Sequence, residues 1–226
     1  METVDALGGP SSSAPAFHHR LVSRPRLVRQ LLDERQAATA MVCAPAGYGK
    51  TALLAEWVER DERPYAWIML TERHRHPAAL AEAIMLALDE LATVDSDVLG
   101  EFRRVARERL VEPAPELMAA LVATVSSMGT VRAPAILVLD DAHLLRSRSA
   151  LRVLSAVASA MPASSKLALA SRTEPRLQLG RRRAEHTLLE LGARELAFTA
   201  YEAYRLLRAA GCGFDRRCRL DEARRG

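Results

Sequence analysis

The sequence predicts an α/β fold in which a five-stranded parallel sheet is covered by helices on both faces. Three observations predict it. Short apolar runs suited to strands alternate with longer segments at helical spacing, the pattern of linked βα units. The run Ala135-Ile136-Leu137-Val138-Leu139 is apolar at every position, as a strand buried on both sides must be. A glycine-rich loop joins the first strand to the helix after it, at the sheet edge where such folds bind ligands.

The elements follow in order. Residues 1–19 are rich in Gly, Ser, Pro and Ala and read as a flexible tail. Arg24 to Leu32 reads as a short helix with Pro25 in its first turn. Ala38–Cys43 is the first strand, followed by the loop and a helix to about Arg60. Tyr65–Leu70 is the second strand, and Pro77–Leu91 an apolar-rich helix. Glu101–Leu110 alternates charged and apolar groups at helical spacing, and its Arg103, Arg104, Arg107 and Arg109 read as a solvated face rather than a binding patch. Glu116–Met128 is a helix, Ala135–Leu139 the third strand, Ser147–Met161 a helix and Lys166–Ala170 the fourth strand. His186–Leu191 is the fifth strand, and Thr199 caps a helix that runs to Ala209.

The loop itself is Ala44-Pro45-Ala46-Gly47-Tyr48-Gly49-Lys50-Thr51. Strand, glycine-rich loop and helix form the context a phosphate-binding P-loop needs. Glycines let successive N–H groups turn toward an anion, and the following helix adds its positive end. Ala46, Gly47, Tyr48, Gly49, Lys50 and Thr51 are therefore candidate nucleotide contacts. Lys50 meets the β- and γ-phosphates, and Thr51 offers a hydroxyl to Mg²⁺. The P-loop pattern usually begins with Gly, and here Ala44 stands in that place, which requires a negative φ. A chance Gly-Lys-Thr turn is the plain alternative, and the flanking strand and helix argue against it.

The third strand ends in Leu139-Asp140-Asp141-Ala142-His143. Carboxylates ending an apolar strand are costly unless a cation or water meets them. Paired with the P-loop, they read as a Walker B motif. Asp140 holds the metal water shell, and Asp141 polarises an attacking water as general base. The fourth strand ends in Ser171-Arg172-Thr173, and Arg172 is placed to reach a γ-phosphate; a surface pair with Glu174 is its alternative role. His143 reads equally as a polar lid or as a turn residue. His18-His19 and His74-Arg75-His76 lack partner ligands for a metal. Arg181-Arg182-Arg183 reads as a solvated helix end.

The bulk numbers agree. In 226 residues, 49% hydrophobic content supplies a packed core, while 4% aromatics leave Leu, Ala and Val to fill it. The net charge of +4 permits nucleic-acid contact without demanding it. Lys50 and Lys166 are the only lysines. Cys43, Cys212 and Cys218 have no metal-ligand spacing, and with no transmembrane run or signal segment a cytoplasmic setting is expected.

Five blocks in order also resemble a known family: Ser23-Arg24-Pro25-Arg26-Leu27, the P-loop with Leu54-Ala55-Glu56-Trp57, Leu137 to His143, Ala170 to Pro175, and Leu189-Glu190-Leu191 through Leu196-Ala197-Phe198-Thr199. Over residues 20–210 the chain is similar to the nucleotide-binding domain of the large ATP-binding LuxR-type (maltose-regulon-activator-like) transcription regulators, within the STAND class of signalling ATPases. The resemblance implies a P-loop ATPase of AAA/STAND-like form used as a switch. ADP would hold a resting form, and ATP with an inducer would permit self-association and gene activation. It also implies that Arg24 and Pro25 lie near the adenine. Residues 20–198 are then the ATPase domain, and 199–226 the start of a truncated helical segment. The Arg-rich stretch Phe214–Leu220 loses helical periodicity, as a truncated or frame-shifted end would. Sensor and DNA-binding regions are expected outside these residues, so sequence-specific DNA binding is not expected of them. The competing readings are a stand-alone P-loop NTPase or small-molecule kinase, and a non-functional remnant.

Overall fold

The computed structural model describes residues 14–15, 22–91, 96–107, 114–129, 133–177 and 180–209. Most of the N-terminal tail, His18, His19, Arg109, Cys212, Cys218 and the Arg-rich stretch at 214–220 lie outside the described residues. Five strands are described: β1 (Thr39–Cys43), β2 (Tyr65–Met69), β3 (Ile136–Asp140), β4 (Lys166–Ser171) and β5 (Leu188–Leu191). All pairings are parallel, and the order across the sheet is β2-β3-β4-β1-β5. One strand, β4, thus separates β1, which leads into the P-loop, from β3, which ends in Asp140.

The helices are α1 (Pro25–Asp33), α2 (Lys50–Arg60), α3 (Pro77–Leu91), α4 (Ser96–Arg107), α5 (Pro115–Ser126), α6 (Arg148–Ala160), α7 (Gly180–Ala184), α8 (Ala193–Leu196) and α9 (Ala200–Ala209). Single 3-10 turns follow β2 at Glu72–Arg75 and β3 at Ala142–Leu144. Alternating strand residues divide the core into two layers, because successive side chains point to opposite faces. Ala40, Val42, Trp67, Ile136, Val138, Ala168 and Ala170 face the layer of α1 and α2. Met41, Ala66, Ile68, Leu137, Leu139, Leu167 and Leu169 face α3, α4, α5 and α6. Both faces are covered, as the unbroken apolar runs predict.

Composition shapes the two layers differently. The alanines of β1 and β4 leave room over the sheet, and the fully buried Trp57 of α2 belongs to that same layer. A large side chain opposite small ones keeps packing dense without many aromatics. On the other face, Leu99, Phe102 and Val105 of α4 are buried, while Arg103 and Arg104 are exposed and Arg104 pairs with Glu101. That is the solvated face expected for this helix, which starts earlier than the charge alternation suggests. Thr199 caps α9 reciprocally: its hydroxyl accepts from Glu202 N–H at 3.2 Å, and its own N–H donates to the Glu202 carboxylate at 2.8 Å.

Candidate functional site

The loop after β1 is pinned at both ends. Ala44 N–H donates to Ser171 O at 3.2 Å, continuing the β1–β4 ladder by one bond, and Leu53 N–H donates to Gly49 O at 2.8 Å to open α2. Between these, Gly47 and Gly49 hold φ of 84° and 75°, left-handed values that glycine adopts without a Cβ clash. Ala44 is not among the positive-φ residues, so alanine fits where the usual pattern has glycine. It is also buried, packed in the α1–α2 layer.

Lys50 is only 8% exposed, and its ammonium donates to Ala44 O at 2.8 Å and Pro45 O at 2.9 Å. Burial holds its pKa below the ordinary lysine value, with Arg172 acting in the same direction and Asp140 and Asp141 opposing. The cation is thus desolvated and poised beside the loop.

Asp140, the last residue of β3, is 2% exposed. Burial pushes its carboxyl above the usual carboxylate range, opposed by the nearby Thr51 hydroxyl and by the hydrogen bond accepted from Asp141 N–H at 2.8 Å. Thr51 and Asp140, which the sequence assigns jointly to a metal, therefore lie near one another. Among the described residues no cluster of three or more His, Cys, Asp or Glu side chains could hold a metal ion. A single carboxylate and a hydroxyl are the sparse, all-oxygen set that suits Mg²⁺ shared with phosphates.

Asp141 adopts a left-handed backbone, φ 59° and ψ 38°, which turns the chain sharply at the sheet edge. Its Oδ1 lies 3.4 Å from His143 Nδ1 and 3.9 Å from Arg172 Nε. Glu174, the alternative partner for Arg172, is instead bound by Arg183 at 2.6 Å. Burial lowers the His143 pKa, with Asp141 opposing and Arg172 reinforcing. The ends of β1, β3 and β4 thus bring Lys50, Thr51, Asp140, Asp141 and Arg172 into one electrostatic group.

From the loop a cavity of about 560 Å³ extends along α2, within the range of small-ligand sites. Gly47 and Gly49 line one part, and Val22, Arg24, Glu56, Phe198 and Leu206 are also in its walls. Of the two residues expected near the base, Arg24 lines the cavity and Pro25 is an exposed first-turn residue of α1. The Arg24 guanidinium is 4.8 Å from the centre of the Phe198 ring, donates to Ala197 O at 3.2 Å and lies 3.6 Å from Glu202. Ala46 and Tyr48 are exposed on the loop.

This geometry is a phosphate-binding loop facing a Walker B strand across one intervening strand. A family model described as an AAA domain matches residues 33–177, a span that holds the loop, Asp140, Asp141 and Arg172. The chain belongs to the AAA domain family. It is a P-loop nucleotide-binding module of the AAA class, with nucleotide as its ligand. Among curated proteins it is 30% identical over 195 residues to the HTH-type transcriptional regulator MalT of Serratia proteamaculans, and 29% identical over 191 residues to that of Yersinia enterocolitica. Each match covers 84% of this chain and 20% of the relative, so the chain spans about a fifth of those proteins' length. Among solved structures, the Walker-type ATPase paby2304 of Pyrococcus abyssi superposes with a TM-score of 0.56 at 14% identity, covering 91% of this chain and 62% of that one. That likeness concerns the fold alone.

Sequence reasoning missed Phe198, Leu206, Val22 and Glu56 as cavity residues. Phe198 and Glu56 stood in recognisable blocks, but nothing local to them signals a role. Their place in the wall depends on the last described segment folding back against α1 and α2. No helix among the described residues is long and apolar enough to cross a membrane.

Proposed function

We propose that the chain is the ATP- and ADP-binding switch module of a LuxR-type transcription regulator, a slow Mg²⁺-dependent ATPase whose nucleotide state governs self-association. The observation that carries this reading is the convergence of Lys50, Thr51, Asp140, Asp141 and Arg172 at the carboxyl edge of adjacent strands. Identity with MalT-type regulators over most of this chain supports the regulatory part.

The roles follow from the positions. Loop amides and Lys50 bind the β- and γ-phosphates. Thr51 and Asp140 would hold Mg²⁺, which supplies charge neutralisation on the phosphate oxygens. Asp141 accepts a proton from the attacking water, and Arg172 registers the γ-phosphate. The Arg172–Asp141 approach makes these two roles interdependent, since a γ-phosphate that draws Arg172 changes the field at Asp141.

The test is Lys50→Ala. It removes the buried cation beside the loop, and calorimetry is expected to show ATP and ADP binding lost at concentrations that saturate the native chain. Equal affinity in both proteins would sink the assignment.

A further inference from the structure

The cavity has two chemically distinct parts. Near the loop are the amides of Gly47 and Gly49, which suit phosphates. The sugar and base of a nucleotide must then lie along the remaining wall. That wall follows α2 from Ala52 to Glu59, a climb of about 10 Å at helical rise, and is completed by Val22, Phe198 and Leu206.

Several polar side chains in this far part are bound to one another, while Glu59 is exposed and Arg24 Nε and Nη1 have no hydrogen-bond partner. Ser23 Oγ and Arg24 N–H both donate to the Glu56 carboxylate, the latter at 2.8 Å. Arg60 reaches Glu56 at 2.7 Å and Ser23 Oγ at 3.2 Å. The Arg24 guanidinium is 4% exposed and bound to Ala197 O and Glu202. The apolar part of this wall is Val22, Leu206 and the Phe198 ring, which is 42% exposed. One face of that ring carries Arg24, 4.8 Å from its centre. A planar ring backed by a buried cation and open toward a nucleotide-sized cavity is a stacking surface.

We propose that Phe198 is the nucleobase platform of this site: the base stacks on the ring face away from Arg24, flanked by Val22 and Leu206. Arg24 is a positioning residue that fixes the ring through the cation–π contact and ties it to Glu202 of α9. Stacking on this ring supplies affinity for the base. This inference rests on the nucleotide reading of the site.

The experiment compares two ligands on the full chain with Mg²⁺ present: ATP and inorganic tripolyphosphate, which has the phosphates without a base. Affinities are measured by calorimetry for the native chain, Phe198→Leu, Phe198→Ala, Phe198→Tyr and Lys50→Ala. Phe198→Leu keeps apolar bulk beside Arg24 and removes the ring, so it carries the test even where Phe198→Ala fails to fold. The expected result is a loss of about tenfold or more in ATP affinity for Phe198→Leu, with tripolyphosphate affinity unchanged and Phe198→Tyr close to native. Unchanged ATP affinity in Phe198→Leu overturns the proposal. So does a parallel fall for both ligands, which would make Phe198 a structural support only. Lys50→Ala is expected to lose both ligands; if it keeps both, the phosphate-loop reading itself fails, whatever the Phe198 variants do.

Discussion

Asp140 illustrates how a binding site draws on the stability of its fold. The carboxyl sits at the end of a fully buried strand, and the Asp141 N–H and the nearby Thr51 hydroxyl only partly offset the desolvation. Its pKa in the folded chain lies above the unfolded value, so the folded state binds that proton more tightly. The stability it contributes is therefore fully present below the unfolded carboxylate pKa and is lost as pH rises through the folded one. At neutral pH the ionised group is a net cost. Asp140→Asn is thus expected to raise the stability of the ligand-free chain by about 1 kcal/mol while weakening Mg²⁺-dependent nucleotide binding. Denaturation with and without Mg-nucleotide at pH 7 checks both halves; a less stable variant with unchanged binding would contradict them. The neighbouring carboxylate behaves differently. Asp141 is half-buried and faces Arg172 and His143 rather than Thr51. Asp141→Asn is expected to leave ATP affinity near native and to slow single-turnover hydrolysis by about a hundredfold or more. Hydrolysis at the native rate would remove the base role.

At the scale of elements, Ser147 joins two of the turns that surround the site. Its hydroxyl accepts from Ala150 N–H at 3.1 Å, capping α6, and donates to Arg75 O at 2.6 Å in the 3-10 turn after β2. Ser147→Ala removes both bonds. It is expected to lower unfolding free energy by about 1–2 kcal/mol and to leave nucleotide affinity unchanged, since Ser147 does not line the cavity. Urea denaturation and an ATP titration test the two statements separately. The long elements were legible in the sequence because each carries its own periodicity: Pro77–Leu91 begins and ends where spacing and composition place it, and α2 ends at Arg60 as expected but starts at Lys50, two residues inside the loop pattern. The helix α8 was not, since four residues hold barely one turn and show no repeat, and α7 was legible only as the helix end at Arg181–Arg183. The phosphate loop and the Asp pair were legible because each is contiguous along the chain. The base-proximal wall was not: Arg24 and Ala197 are 173 positions apart, and only the folded chain brings Phe198 beside Arg24.

The whole molecule sets how its charge is met from outside. A net charge of +4 invites the idea of nucleic-acid binding, and several of the described arginines are already paired with carboxylates. Arg60 pairs with Glu56, Arg63 with Asp61, Arg73 with Glu82, Arg75 with Glu72 and Arg104 with Glu101, while Arg183 is held between Glu174 and Glu190. Such pairing scatters positive charge into small dipoles rather than gathering it into a stripe that could follow a phosphate backbone. Each phosphate contact the chain makes contributes about one unit to the salt dependence of binding. The expected outcome is weak binding to any duplex at low salt, fading steeply toward physiological salt, with no preference between random and candidate promoter sequences. Fluorescence titrations at about 50 and 150 mM salt measure it directly. Tight, sequence-selective binding that persists at the higher salt would show that the paired arginines exchange their carboxylates for DNA, and would move the DNA-contacting surface onto segments such as the one around Arg103.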